Sequence, residues 1–188
     1  MKVLFSLCLS FLVAPAFAGA APKAVVEEIF AKAGMPEISS DSGKQKEVTA
    51  YVDFGALAKA ALGKEFKKVS AQEFQWFRDT LQEIITRTVY PKAPDFLSGV
   101  KITYNAVEEK GAKAKVKSTV QNKADLTDVD YELAQKDGSW KVVDVAIAGQ
   151  SWVESIRDQV AQVIKKKKWQ GLKDSMSKRL NDIKAGKV

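Results

Sequence analysis

Alternating apolar and polar residues dominate the second half of the sequence. Between residues 112 and 120 small or apolar residues alternate with lysines, and between 129 and 133 they alternate with acidic residues. A period of two is typical of strands with one buried face. The pattern predicts a four-stranded antiparallel meander, with strands at 100–107, 112–120, around 129–133 and 140–148. The fourth strand is apolar on both faces, which predicts a central position in the sheet.

Segments with apolar residues at helical spacing precede and follow the predicted sheet in the sequence. Asp53 is the predicted N-cap of one helix, and Ser70 with Glu73 forms a capping box that opens the longest one. Ser151 with Glu154 forms another capping box after the last strand. The polar segment 39–47 is predicted to be a loop. The predicted helices cover 24–33, 54–62, 71–90, 151–166 and 172–183.

This order of elements predicts an α+β fold. A curved four-stranded antiparallel meander would pack against N-terminal and C-terminal helices, because the lysine-rich face of its first hairpin must face water. A curved sheet clasped by helices leaves a cone-like gap. That gap either fills with side chains or becomes a cavity.

Residues 1–18 have the features of a secretory signal peptide. Lys2 precedes an apolar run at 3–13, and Ala16-Phe17-Ala18 supplies small residues around a cleavage site. A membrane anchor is the alternative, but the run is shorter than the roughly 20 residues needed to cross a bilayer. We expect residues 19–188 to form one domain that is exported to the periplasm.

Composition narrows the chemistry that the protein can perform. Histidine is absent and the single cysteine, Cys8, lies within the predicted signal peptide. The exported chain therefore has neither a histidine-dependent triad nor an ordinary zinc site. A carboxylate general base remains open, with Asp130 and Asp144 as candidates. The formal net charge of +7 favours anionic partners, although no nucleic-acid recognition motif is present.

Several short motifs, in order and spacing, resemble the MlaC family of periplasmic phospholipid-binding proteins. They begin with Asp53-Phe54 and Leu62-Gly63, followed by the capped helix that carries Phe77 and Leu81. The second half has Asp130-Tyr131-x-Leu133, then Trp140-Lys-Val-Val-Asp-Val145, then Gly149-x-Ser151. The matching tracts cover most of the sequence after Tyr51.

The resemblance implies a phospholipid carrier without catalytic residues or cofactors, acting as a monomer. Such a carrier would hold acyl chains between sheet and helices. It would exchange them with an inner-membrane ABC transporter that has an MCE-domain subunit, and with an outer-membrane lipoprotein–porin complex. A cone-fold enzyme and an adaptor domain with a filled interior are the alternatives. The predicted lining residues are Leu57, Phe74, Phe77, Leu81, Ile85, Tyr104, Val116, Tyr131, Val143, Val145, Ile147, Trp152 and Ile156.

Two sets of lysines suggest surface contacts. Lys165, Lys166, Lys167 and Lys168, here called the lysine run, stand beside Trp169. They form either a membrane or head-group contact, with an interfacial indole, or a solvated helix end. The run also lies where relatives tend to have a glycine-containing turn. Four further lysines project from the first hairpin and indicate a solvated sheet face or a docking patch: Lys101, Lys113, Lys115 and Lys117.

Overall fold

A meandering antiparallel sheet forms the C-terminal half of the protein. The computed structural model describes residues 20–187, so the predicted signal peptide lies outside the described residues. Each strand pairs with its neighbours in sequence, in the order β1-β2-β3-β4-β5. The strands are β1 Val100–Lys110, β2 Lys113–Asn122, β3 Asp125–Lys136, β4 Ser139–Ile147 and β5 Gln150–Ser151.

The predictions of four strands and of a central fourth strand were wrong. A fifth, two-residue strand pairs with the end of β4, whose outer edge otherwise bonds, among residues 20–187, only to the segment around Val52. A β-bulge explains the misleading pattern. The register shifts beside Leu133, so that Val142 and Val145 face the same side although they are three positions apart in sequence. The strand therefore looks apolar on both faces without being central.

Helices precede and follow the sheet, and the α+β class is confirmed. The helices are α1 Pro22–Ala33, α2 Ser42–Thr49, α3 Phe54–Leu62, α4 Ala71–Val89, α5 Ala93–Ser98 and α6 Trp152–Lys184. Both N-cap predictions for α3 and α4 are confirmed. The Asp53 carboxylate accepts the Ala56 N–H at 3.0 Å, and Ser70 and Glu73 form a complete capping box.

The loop predicted at 39–47 was wrong, because most of it lies in α2. The Asp41 carboxylate caps this helix by accepting the N–H groups of Gly43 and Lys44. Only Val48 is buried, so the helix lacks an apolar stripe that the sequence pattern could detect. Helix α5 was also missed. Its Pro94 lies in the first turn, where a missing N–H costs nothing.

The two predicted C-terminal helices are both present, and they meet within α6 at a kink. Helix α6 spans 33 residues, with one non-helical residue at Lys168, whose φ is 60° and ψ is −174°. The chain therefore changes direction at a single residue rather than across a linker. Among the described residues, no helix is both long and apolar enough to cross a membrane.

Two apolar cores lie on either side of the segment around Val52. The sheet core joins one face of the sheet to α1, and the helical core joins α3, α4 and α6. Val52 packs against both. The sheet core contains Val25, Val26, Ala114, Val116, Val129, Tyr131, Leu133, Trp140 and Val142, and the helical core contains Leu57, Ala58, Ala61, Leu62, Phe77, Leu81, Val153, Val160 and Leu172.

Candidate functional site: an apolar groove at the rim of the sheet

The inner face of the sheet is built from rows of side chains that strand pairing aligns. At one end of the sheet Ile102, Val120 and Thr127 form the rim row. The next row contains Tyr104, Ser118, Val129 and Ile147. The rim row is half-buried, whereas Ser118 and Val129 behind it are buried. Apolar surface is thus left uncovered at this end.

An apolar groove of about 580 Å³ opens at the same end, between α1, α5 and β1. Its volume lies within the range typical of small-molecule sites. Phe30 at its floor also packs against the sheet core, edge-on to Tyr131 with ring centroids 5.7 Å apart. The groove therefore adjoins the inner face of the sheet. Its lining consists of Phe30, Ala31, Gly34, Met35, Pro36, Leu97, Ser98, Val100 and Ile102.

Three hydroxyl groups behind the rim row, those of Ser118, Tyr104 and Tyr131, carry no charge at physiological pH. The Ser118 hydroxyl donates to the Val129 carbonyl at 3.0 Å. Burial raises the pKa of Tyr131, and burial followed by the nearby Tyr131 and Glu27 raises the pKa of Tyr104 to about 12. The phenols stay protonated, so the face remains uncharged beside the groove.

The predicted lining residues divide between the two cores. Tyr104, Val116, Tyr131 and Val145 belong to or pack against the sheet core. Ile147 is 52% exposed and Trp152 is 38% exposed at the end of the sheet where the groove opens, and Val143 stands at the bulge of β4. The remaining six belong to or pack against the helical core: Leu57, Phe74, Phe77, Leu81, Ile85 and Ile156.

None of these thirteen residues lines the apolar groove, and its lining residues were missed from the sequence. Met35 and Leu97 fall in short segments bounded by prolines and glycines, which the pattern treats as connections. One signal was available. Both segments are apolar for loops, and Met35 is 43% exposed in the fold. A contiguous exposed apolar patch often marks a binding surface.

The carboxylates considered for catalysis are already engaged elsewhere. Asp144 accepts the N–H groups of Val145 and Val153 at 2.8 and 3.0 Å, and the Ser151 hydroxyl. It thereby fixes the start of α6 to β4. Asp130 lies on the outer face of the sheet, 3.7 Å from the Lys115 ammonium. Neither lines the apolar groove.

A second groove, of about 420 Å³, lies at the opposite end of β4 and is polar. Its cations have partners. Lys136 bridges to Asp53 at 2.9 Å, and Lys141 donates to the Ala50 carbonyl at 2.7 Å. The first contact fastens the start of α3 to the end of β3, and the second fastens the end of α2 to β4, which are structural roles.

Lys115 and Lys117 on the sheet have different surroundings from the lysine run. Lys115 and Lys117 form ion pairs with Glu132 and Glu108, at 2.9 and 2.6 Å, across the outer face. The lysine run is exposed, and within residues 20–187 none of its members makes an ion pair. Trp169 points inward rather than forming an interfacial residue, with its ring centroid 6.3 Å from that of Trp76 and also from that of Phe77.

Comparison with known proteins assigns this chain to a family. The structure resembles that of a phospholipid-binding protein from Ralstonia solanacearum in complex with a phospholipid, with a TM-score of 0.70 and 22% identity. The match covers 86% of this chain and 95% of the other. No curated protein matches the sequence significantly. The family model described as MlaC protein matches residues 42–178, which is well over half of the sequence, so this chain belongs to the MlaC family.

Proposed function

We propose that this protein is a periplasmic phospholipid carrier that shields acyl chains in the apolar groove and the adjoining inner face of the sheet. The observation that carries the proposal is an apolar groove of about 580 Å³ continuous with a half-buried rim row. Family membership and the phospholipid-bound structure from Ralstonia solanacearum support the same ligand class.

The physical requirement of the task matches this surface. Exposing an acyl chain to water costs about 0.8 kcal/mol per methylene, so two long tails cost on the order of 20 kcal/mol. A carrier must therefore surround the tails with apolar side chains. The groove offers Phe30, Leu97 and Ile102, and the sheet continues it with Val120.

We further propose the route that the resemblance implies. Residues 1–18 direct export and are removed, and residues 19–188 work as a monomeric single domain. The carrier exchanges lipid with an inner-membrane ABC transporter that has an MCE-domain subunit and with an outer-membrane lipoprotein–porin complex. The engaged state of Asp144 and the outward position of Asp130 support a carrier over an enzyme.

Native mass spectrometry of protein purified from the periplasm without detergent tests the ligand class. We expect a mass increment equal to one or more phospholipids, removed by organic extraction. A single lipid-free mass, together with no uptake from phosphatidylethanolamine vesicles, would favour an adaptor domain with a filled interior.

A further inference from the structure

The lysine run at the break in α6 is the part of the surface that the carrier proposal does not use. Its four ammonium groups are consecutive and exposed, and in the described part of the chain they have no acidic partner. Lys115, Lys117 and Lys184 differ, because each of them pairs with a glutamate. Other exposed lysines without an ion pair among the described residues, such as Lys101 and Lys110, are dispersed, whereas the run places four in succession.

The backbone at the break holds the run in an unusual conformation. Lys168 has φ 60° and ψ −174°, a region that is essentially confined to glycine. A Cβ on Gly171 would lie 2.2 Å from the Lys167 Cβ, so the chain also depends on a glycine there. Trp169 anchors the segment against Trp76 and Phe77. The packed segment thus presents the lysines outward from a fixed support.

We propose that Lys165, Lys166, Lys167 and Lys168 form a docking surface for an anionic phospholipid bilayer. Charge complementarity selects this partner. Lysine ammonium groups act as hydrated point charges and suit a diffuse negative surface, whereas directed recognition of single phosphates favours the guanidinium fork of arginine. A single-stranded nucleic acid would need exposed aromatic rings for stacking, and the neighbouring indole of Trp169 packs inward.

The position of the run separates docking from lipid loading. No residue of α6 lines the apolar groove, which lies between α1, α5 and β1. We therefore expect membrane docking through the lysine run and lipid binding in the groove to use different surfaces. The surface therefore holds the carrier at a membrane without occupying its lipid site.

Vesicle co-sedimentation tests the docking surface. Vesicles of phosphatidylcholine alone are compared with vesicles that also contain phosphatidylglycerol, at low and at high salt. The test variant changes all four lysines of the run to glutamine. The matched control makes the same charge change at four exposed, dispersed lysines: Lys46, Lys92, Lys101 and Lys110.

We expect the full-length protein to bind only the anionic vesicles, with binding lost at high salt because exposed charges are screened. The run variant should show about a tenfold or larger drop in its partition coefficient, and the dispersed variant should retain most of the binding. Equal losses in both variants, salt-insensitive binding, or no binding by the wild type would overturn the proposal.

The amount of co-purified phospholipid, measured by native mass spectrometry, distinguishes a failure of the docking proposal from a failure of the carrier proposal. The run variant should carry as much lipid as the wild type. Loss of vesicle binding with unchanged lipid content supports a docking surface that is separate from the groove. Parallel loss of both would overturn that separation.

Discussion

The sheet core and the helical core contain similar numbers of the predicted lining residues but differ in how they are closed. In the helical core Phe77 is completely buried and the Trp169 ring packs against it. On the sheet, Ile102 and Val120 remain half-buried beside the apolar groove. Apolar periodicity therefore identifies surfaces that are shielded from water. Whether protein or ligand covers that surface depends on which helices reach it.

The largest expected effect comes from emptying the closed core. Phe77→Ala removes a side chain that is buried by α3, α4 and α6, and we expect it to lower the free energy of unfolding by about 3–5 kcal/mol. Phe96→Ala is the matched control, because Phe96 is 56% exposed and its loss should cost less than about 0.5 kcal/mol. Urea denaturation measures both.

Lipid content then distinguishes the two cores. Folded Phe77→Ala protein should still carry phospholipid, since its change lies away from the groove. Loss of lipid with full retention of stability would mean that the helical core, not the sheet, holds the tails.

A charge at the rim of the sheet should reduce the amount of bound lipid strongly and the stability only slightly, which is the reverse of the effect of Phe77→Ala. Ile102→Glu places a carboxylate in the apolar groove, where an acyl chain would have to desolvate it. We expect about a tenfold or larger loss of bound phospholipid. Because Ile102 is only half-buried, the free energy of unfolding should fall by less than about 1.5 kcal/mol.

Thr103→Glu serves as the control for this substitution. Thr103 is the next residue on β1 and is exposed on the outer face of the sheet. It should carry the same amount of lipid as the wild type in quantitative lipid extraction. Equal lipid content in the two variants would remove the groove from the lipid site.

Local chemistry in the sequence predicted the ends of elements better than it predicted the site. Asp53 and Ser70 act as caps through contacts with residues at most three positions away, so the sequence contains the whole signal. The bulge in β4 depends on pairing with Leu133, and α2 depends on a single buried valine. Those features arise from tertiary contacts.

The lining of the apolar groove is a clearer example of a feature that arises from tertiary contacts and cannot be predicted from the sequence. Leu97 and Ile102 lie in the consecutive elements α5 and β1, but Phe30 lies far from them in sequence, in α1, and only the fold brings it to them. Phe77 and Tyr131 have equally strong apolar patterns, yet one belongs to a closed core and the other lies beside a groove. Periodicity carries no information about that difference.

Substitutions at the break in α6 should change the free energy of unfolding by an intermediate amount. Lys168→Gly should raise the free energy of unfolding by about 1–2 kcal/mol, because glycine adopts the φ of 60° without the strain that a Cβ causes. Gly171→Ala should lower it, since the new Cβ would lie 2.2 Å from the Lys167 Cβ. Thermal unfolding of both variants checks the sign. A destabilising Lys168→Gly would show that this backbone is not strained.

The smallest expected effect concerns the ion pair between Asp53 and Lys136, which helps to fasten the helical core to the sheet. Burial raises the pKa of Asp53, but the Ala56 N–H and the Lys136 ammonium outweigh it, so the pKa lies below its ordinary value of 3.8. A carboxyl with a lowered pKa in the folded state contributes stability above its ordinary pKa. That contribution is lost as the pH falls through the lowered pKa.

Asp53→Asn should therefore flatten the acid limb of the stability curve, while asparagine still caps α3. The difference in melting temperature between wild type and variant should be present at pH 6 and shrink below about pH 4. Asp137→Asn, in the nearby turn, removes a carboxylate that neither caps a helix nor joins an ion pair among residues 20–187, and should leave the curve unchanged. If Asp53→Asn keeps the wild-type slope, the bridge to Lys136 does not hold the helical layer to the sheet, and the contacts of Val52 and Asp144 join the two instead.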